Sequence, residues 1–264
     1  MSDTVPILMY HAIADAPSAA TRRLSVSPRM LAEQLVYLLE HGYTGLTFGE
    51  VAESFRHGTP LPTRPVVLTF DDGYADFGRE AWPILRRHGF PATLFVTTGW
   101  VAGNGPCAAG IPLDRTLDWK QLRALAESGL EVGAHSHSHP QLDQLSDVAL
   151  QHELWTSRVL LEAHLETPVT TMSYPFGYST PRVRAAAATT GYEYAAVVGN
   201  RCSNPSSDRF RVPRLTIRRN TSLAAFAAAV GGSERPFRTD RALTAAMASL
   251  RLARRAGGRV LRDG

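Results

Sequence analysis

Short apolar segments alternate with amphipathic segments along most of the chain. Eight of the apolar segments have the length and composition of β-strands. Most of them are apolar at nearly every position, which is typical of strands buried on both faces of a parallel sheet. These predicted strands cover 5–10, 43–46, 66–70, 92–97, 130–134, 169–173, 194–198 and 212–217.

The segments between the strands have apolar positions at helical spacing and recognisable start signals. Ser27 followed by Pro28 predicts an N-cap with proline in the first turn, and Thr47 with Glu50 three positions later predicts a capping box. Further helices are predicted at 75–88, 118–128, 146–164, 179–190 and 221–230.

Strands that alternate with helices favour an α/β fold with parallel strands, and seven or eight such units predict a (β/α)7–8 barrel. The alternative is a doubly wound open sheet. A length of 264 residues fits one barrel. We expect residues 1–232 to form this domain and residues 233–264 to form a basic, Arg-rich C-terminal tail.

Composition and charge exclude several classes of protein and of binding partner. The chain is 44% hydrophobic and 20% charged, which excludes wholesale disorder, and no apolar run approaches the roughly 18 residues that a membrane-spanning helix needs. The net charge is +4, but the tail has eight arginines against three acidic residues, so the barrel segment is near neutral. A neutral body argues against a nucleic-acid enzyme. The sequence does not indicate an oligomeric state.

The first residues show no basic segment followed by an apolar run, so no signal peptide is predicted. We therefore expect a cytoplasmic protein, with an extracytoplasmic location left open if the N-terminus is truncated. Cys107 and Cys202 are far apart and lack CxxC spacing, so they predict neither a disulfide framework nor a zinc ribbon.

Polar residues follow four of the predicted strands. His11, Asp71, His135 and the segment 174–177 each come where an apolar run ends. In a parallel barrel the carboxyl ends of all strands meet at one rim, where catalytic residues lie. The sequence therefore predicts that four separate segments bring their polar groups to one site.

Asp71 and Asp72 are adjacent carboxylates, which are costly to keep ionised side by side without a cation. One of them could bind a metal ion while the other stays free as a base. The alternative is an ordinary Asp-Gly turn, although the pair directly follows a buried strand.

Three histidines in five residues, His135, His137 and His139, indicate a metal site. On a helical turn His135 and His139 would face the same way and could hold one ion. In an extended chain all three would share a face and form a three-histidine site. Two histidines with one carboxylate leave positions for water and substrate, as catalytic zinc and non-haem iron sites do.

Three segments in this order resemble the motifs of the polysaccharide deacetylase family, also called the NodB-homology or carbohydrate esterase 4 family. They are Thr69-Phe70-Asp71-Asp72-Gly73, His135-Ser136-x-Ser138-His139-Pro140 and Tyr174-Pro175-Phe176-Gly177. The resemblance covers about residues 5–217. It implies a distorted, NodB-type barrel in which 1–232 is the catalytic domain, and metal-dependent removal of acetyl groups from N-acetylated saccharides.

The resemblance also implies roles for individual residues. It makes Asp72, His135 and His139 the ligands of one divalent ion, for which we expect Zn²⁺, with Co²⁺, Ni²⁺ or Fe²⁺ as alternatives. It makes Asp71 the general base and the backbone N–H of Phe176 the donor to the oxyanion. The substrate-lining residues that it suggests are Trp119, Tyr174 and Pro175.

Two departures from the family pattern stand out. In many members an arginine at the start of the third motif supports the base. In this chain Ser173 stands at the position of that arginine. Many members also take their general acid from a C-terminal Leu-x-His strand, whereas this chain has no histidine after His164. His11 resembles the acid of the biofilm poly-N-acetylglucosamine deacetylase branch, which comes from the first strand.

We therefore predict a carbohydrate N-deacetylase with an N-acetylated saccharide as its partner and no nucleic acid. The first alternative is a related C–N hydrolase of a small or cyclic amide that uses the same metal and base. The second is a catalytically silent carbohydrate-binding relic.

Overall fold

The computed structural model describes residues 4–242, and a closed parallel β-sheet forms its centre. The strands are β1 (Ile7–Tyr10), β2 (Thr44–Leu46), β3 (Pro65–Phe70), β4 (Thr93–Val96), β5 (Glu131–Ala134), β6 (Thr171–Ser173), β7 (Tyr194–Val198) and β8 (Val212–Thr216).

The sheet closes because β1 pairs with β3 on one side and with β8 on the other. Seven strands, β1 and β3 to β8, thus form a parallel barrel. β2 lies outside this ring, paired with the first half of β3. The closure confirms the barrel prediction and excludes the doubly wound open sheet.

Helices surround the barrel close to their predicted positions. They are α1 (Pro28–Glu40), α2 (Phe48–His57), α3 (Trp82–Arg87), α4 (Trp119–Glu127), α5 (Asp147–Leu165), α6 (Pro181–Thr190) and α7 (Leu223–Val230). The Ser27 side chain caps α1, and the Thr47–Glu50 capping box is formed at α2. The helix predicted at 75–88 is instead a π-helix, Phe77–Ala81, followed by α3. Within residues 4–242, no helix combines the length and apolar character needed to cross a bilayer.

The interior of the barrel contains an apolar cluster, and polar side chains lie beyond it towards the carboxyl ends of the strands. Ile7, Val67 and Phe95 belong to one buried apolar cluster. Phe95 lies against Gly133, where a Cβ would be 2.6 Å from the ring, so β5 has no room for a side chain there. Further along the strands, a buried polar group consists of Thr69, Ser173 and Arg214. The polar side chains of the rim are built on this group.

The first part of the predicted tail packs on the barrel. Phe237 is 3% exposed and belongs to the main core cluster. Arg218 pairs with Asp240 at 2.8 Å, and Arg241 pairs with Glu234 at 2.7 Å. The boundary predicted at residue 232 is therefore misplaced for 233–242, because a core aromatic residue lies beyond it. Residues 243–264 of the predicted tail lie outside the described residues.

Candidate active site

The carboxyl rim of the barrel collects the polar side chains as the sequence predicted. His11 follows β1, Asp71 and Asp72 follow β3, and His135 follows β5. The backbone continues the strand pairing into the site: the Asp71 N–H donates to the Tyr10 carbonyl at 3.0 Å. The register of the parallel pairing thus fixes where each of these residues lies along the barrel axis relative to the others.

Asp72, His135 and His139 form a compact cluster. Oδ1 of Asp72 lies 3.5 Å from Nε2 of His135 and 3.4 Å from Nε2 of His139. The three ligand atoms lie within 4.8 Å of one another. Oδ1 of Asp72 is buried and has no hydrogen-bond partner among residues 4–242. A buried carboxylate oxygen that faces two imidazole nitrogens and lacks a donor fits a divalent cation.

The protonation states of the cluster also suit a cation. Nδ1 of His135 donates to the Ser173 carbonyl at 2.7 Å, which leaves the lone pair on Nε2, the atom that faces Asp72. Burial lowers the pKa of His135 to about 3 and that of His139 to about 4, so both rings are neutral near pH 7. Burial raises the pKa of Asp72 to about 6, and the adjacent charge of Asp71 acts in the same direction.

His137 does not belong to the cluster. Its Nδ1 hydrogen-bonds with Oγ1 of Thr98 at 2.9 Å, and its ring contacts that of His152. The three-histidine alternative is wrong because Ser136 (φ 62°) and His139 (φ 61°) adopt left-handed backbone conformations. These two residues break the extended chain that would have put the three rings on one face.

Arg214 is the functional residue that the sequence analysis missed. It lies in β8 with its side chain fully buried, and its two terminal nitrogens donate to the two oxygens of Asp71, each at 2.7 Å. It also donates to the hydroxyls of Thr69 at 2.9 Å and Ser173 at 2.6 Å. Arg214 thus faces the predicted base, in place of the arginine that many family members carry where this chain has Ser173.

The charge of Arg214 determines the state of Asp71. Burial acts to raise the pKa of Asp71, but the guanidinium of Arg214 and the neighbouring His135 hold it well below its usual range. Asp71 is therefore ionised at every pH at which the protein would be assayed. Adjacent carboxylates with pKa values displaced in opposite directions are typical of sites with divided acid–base roles.

His11 lies beside the two carboxylates and is half-buried. Burial raises the pKa of Asp72, and a charge on His11 opposes that rise. The same charge also acts on Asp71, after the larger effects of burial and Arg214. Nδ1 of His11 is buried and has no hydrogen-bond partner in the described part of the chain. The structure therefore brings His11 to the predicted base and metal cluster.

Phe176 borders the cluster from the turn after β6. Its backbone is left-handed, with φ 59° and ψ 1°, and its side chain is 50% exposed. The ring lies 4.8 Å from that of His139 and 5.9 Å from that of Tyr178, measured between centroids. Non-glycine residues held in this conformation are concentrated at functional sites.

The predicted substrate-lining residues lie elsewhere. Tyr174 is 1% exposed and its hydroxyl donates to the Phe210 carbonyl, and Pro175 is buried beside it. Trp119 stacks on His164 of α5 with 3.9 Å between centroids, and its indole N–H donates to Asn104 of the loop after β4. The sugar-lining prediction is wrong for Tyr174 and Pro175 because their side chains are in the core, and the contacts of Trp119 give it a packing role.

The chain is similar to several known deacetylases. It is 35% identical over 141 residues to the poly-beta-1,6-N-acetyl-D-glucosamine N-deacetylase of Escherichia coli (strain K12), which is 50% of this chain and 20% of that protein. It is 26% identical over 212 residues to the enzyme of the same name from Staphylococcus aureus (strain MSSA476), covering 76% of this chain and 70% of that protein. The solved structure of the Streptococcus pyogenes deacetylase PplD in complex with acetate matches with a TM-score of 0.77 and 26% identity, over 86% of this chain and 98% of that one.

The sequence model of the polysaccharide deacetylase family matches residues 58–195, which is more than half of the chain. This span runs from just before β3 to β7 and contains Asp71, Asp72, His135 and His139. The site geometry and the matched sequence agree, and the chain belongs to the polysaccharide deacetylase family.

Proposed function

We propose that the protein is a metal-dependent hydrolase that removes the acetyl groups of N-acetylated amino sugars. The observation that carries the proposal is the Asp72–His135–His139 cluster next to an ionised Asp71. The names of the relatives from Escherichia coli and Staphylococcus aureus support this substrate class. The substrate is a polysaccharide, an oligosaccharide or a glycoside precursor that carries N-acetylglucosamine or a similar sugar.

Asp72, His135 and His139 would hold one divalent ion, for which Zn²⁺ is the first candidate. When bound, such an ion would lower the pKa of a water towards about 7 and polarise the amide carbonyl. Asp71 lies outside this group of three ligand atoms, and each of its oxygens accepts a hydrogen bond from Arg214. The two carboxylates are thereby assigned different tasks.

Asp71 accepts the proton of the attacking water. Its low pKa makes it a weak base but keeps it ionised, so it needs an acidified water as its partner. The backbone N–H of Phe176 stabilises the negative charge that develops on the carbonyl oxygen. His11 gives a proton to the departing sugar amine, since it lies beside Asp71 and Asp72 and its Nδ1 has no hydrogen-bond partner among residues 4–242.

The test is acetate release from N-acetylglucosamine, its β-1,6-linked oligomers and a cyclic amide, with and without chelator. We expect acetate from the saccharides, loss of activity on chelation and recovery with Zn²⁺ or Co²⁺. Hydrolysis of the cyclic amide without acetate release from any saccharide would refute the proposed substrate. A protein that binds metal but hydrolyses none of them would be the silent relic.

Variants separate the roles in the same experiment. Asp72→Asn and the double variant His135→Ala, His139→Ala should lose the ion, whereas Asp71→Asn should keep it and lose catalysis. His137→Ala is the matched control, because its ring is directed to Thr98, and it should keep the ion. Full retention of metal by the double variant would contradict the assigned site.

A further inference from the structure

The segment that joins the two histidine ligands adopts an unusual backbone. Between His135 and His139, Ser136 is left-handed at φ 62°, and His139 itself is left-handed at φ 61°. Such conformations persist in non-glycine residues only where the surroundings hold them in place. The distance between the two imidazoles therefore depends on what holds this segment.

One side of the segment is held by the loop after β4. The N–H of Thr98 donates to the Ser136 carbonyl at 3.3 Å, and the N–H of Gly99 donates to the His137 carbonyl at 2.7 Å. The approach is close: a Cβ on Gly99 would lie 2.6 Å from the His137 oxygen. This loop satisfies the acceptors of the segment.

The other side is held by one carboxylate. Glu153, on α5, is 8% exposed. Its Oε2 accepts from the N–H of His137 at 2.9 Å and from the N–H of Ser138 at 2.8 Å. Its Oε1 accepts from the hydroxyl of Ser138 at 2.5 Å. All three hydrogen bonds that Glu153 accepts within residues 4–242 come from the segment between the ligands.

We propose that Glu153 is a positioning residue that holds this segment in its left-handed conformation and thereby sets the affinity of the cluster for a divalent ion. The inference rests on the proposed metal site. Without the carboxylate, the buried N–H of His137 and the half-buried N–H of Ser138 lose their acceptor. The segment would then move to satisfy them, and Nε2 of His139 would leave its place 3.4 Å from Asp72. Partners that orient metal ligands in this way typically change metal affinity by about 10- to 100-fold.

Glu131 offers a matched control. It also accepts three hydrogen bonds, from the N–H of Gly49 at 3.0 Å and from the hydroxyls of Thr93 at 2.7 Å and Thr171 at 2.9 Å. It lies at the first residue of β5, the strand that ends next to His135, but at the opposite end of the barrel. Removing it should destabilise the fold without changing the cluster.

The experiment titrates metal-free protein with Co²⁺, followed by its visible spectrum, and with Zn²⁺, followed by calorimetry. We expect the Kd of Glu153→Ala to rise about 10- to 100-fold over wild type. Glu153→Gln should show a smaller rise, since its amide oxygen can still accept from the backbone. Glu131→Gln and Glu131→Ala should bind both ions about as tightly as wild type, even if their Tm falls as much as that of the Glu153 variants.

Ser138→Ala covers the case in which Glu153→Ala does not fold, because it removes one of the three hydrogen bonds from a half-buried residue. It should weaken metal binding a few-fold. Unchanged affinity in both Glu153→Gln and Ser138→Ala, or an equal loss in the Glu131 variants, would overturn the positioning role. Wild-type protein that binds neither ion would refute the proposed function itself, and this inference with it.

Discussion

At the scale of residues, Arg214 and the proposed base Asp71 form a buried ion pair. Arg214→Gln would leave a buried carboxylate without its counter-charge, so the pKa of Asp71 should rise under the effect of burial. We expect the variant to gain an acid limb in its kcat–pH profile that Asp71 does not cause in the wild type, and kcat to fall while the metal content stays. Losing one partner of a buried pair typically costs about 3–5 kcal/mol.

The stability of this variant gives a second readout. A carboxylate with a lowered folded-state pKa stabilises the fold above its unfolded pKa and loses that contribution as the pH falls. The deficit of Arg214→Gln should therefore be large near pH 7 and shrink as the pH falls through the raised pKa that Asp71 has in the variant. The double variant Arg214→Gln, Asp71→Asn should recover stability but not activity. A variant whose kcat–pH profile has the same shape as that of the wild type would contradict the pairing.

His11 is predicted to be the general acid. General acid catalysis typically contributes about 10²- to 10⁴-fold, so His11→Ala should lower kcat on an N-acetyl sugar by that order with metal content unchanged. The alkaline limb of the profile should vanish, because it reports loss of the acid's proton. An aryl acetate, whose leaving group needs little protonation, should be affected much less. His152→Ala, an exposed histidine on α5, is the control; equal losses on both substrates would remove His11 from this role.

Residues that follow strands could be predicted, and residues that act from within other elements could not. Asp71, Asp72 and His135 end apolar runs, so the barrel rule placed them at the rim. Arg214 lies inside an apolar strand, 143 positions along the chain from its partner, and no local pattern connects the two. A cationic residue in a strand that is otherwise apolar was the available signal. Glu153 looked like any acidic residue on the solvated face of a helix.

At the scale of elements, Asp76 connects two loops at the rim. It precedes the π-helix Phe77–Ala81, and its Oδ2 accepts from the N–H of Ile13 at 3.1 Å. Burial raises the pKa of Asp76 to about 6, and the charge of Asp114 acts in the same direction. A carboxylate whose pKa is raised by folding destabilises the fold once the pH exceeds the pKa that it has in the unfolded state.

Asp76→Asn should therefore stabilise the protein in alkaline solution. The gain should reach about 3 kcal/mol at pH 8, from about two pKa units, and become small at pH 4, as measured by urea unfolding at both values. Asp114→Asn is the opposite control. Burial acts to raise the pKa of Asp114, but its hydrogen bonds with Arg115, Ser18 and Thr21 lower it, so its loss should destabilise near neutral pH. A gain for Asp76→Asn that is the same at both pH values would rule out the ionisation as its cause.

Element positions were predictable because caps and apolar runs are local signals. The exception is the helix predicted at 75–88. Pro83 has no N–H to donate to the preceding turn, and the helix widens into a π-turn before it. The alternation of strands and helices was enough to predict the barrel fold class. The position of β2 outside the ring could not be predicted, because it depends on the pairing of β2 with β3, which no local sequence pattern indicates.

At the scale of the whole molecule, the segment 233–242 packs on the barrel through Phe237. A chain that ends at Gly232 should unfold at lower temperature or urea concentration than one that ends at Ala242, because it lacks Phe237. Phe237→Ala alone should cost about 3–5 kcal/mol. Phe176→Ala removes an equally large but half-exposed ring, so its unfolding midpoint should stay almost the same as that of the unchanged chain. Equal midpoints for the two chain lengths would restore the boundary at residue 232.

The arginine that faces the base comes from a strand of the barrel, and this has a consequence for how the site can be altered. The turn 174–178 keeps Phe176 at the cluster but has no part in holding Asp71. The residues that hold Asp71 and the turn that borders the cluster thus belong to separate segments of the chain. Replacing the exposed Phe176 could change the surface next to the cluster while the protonation of Asp71 stays constant.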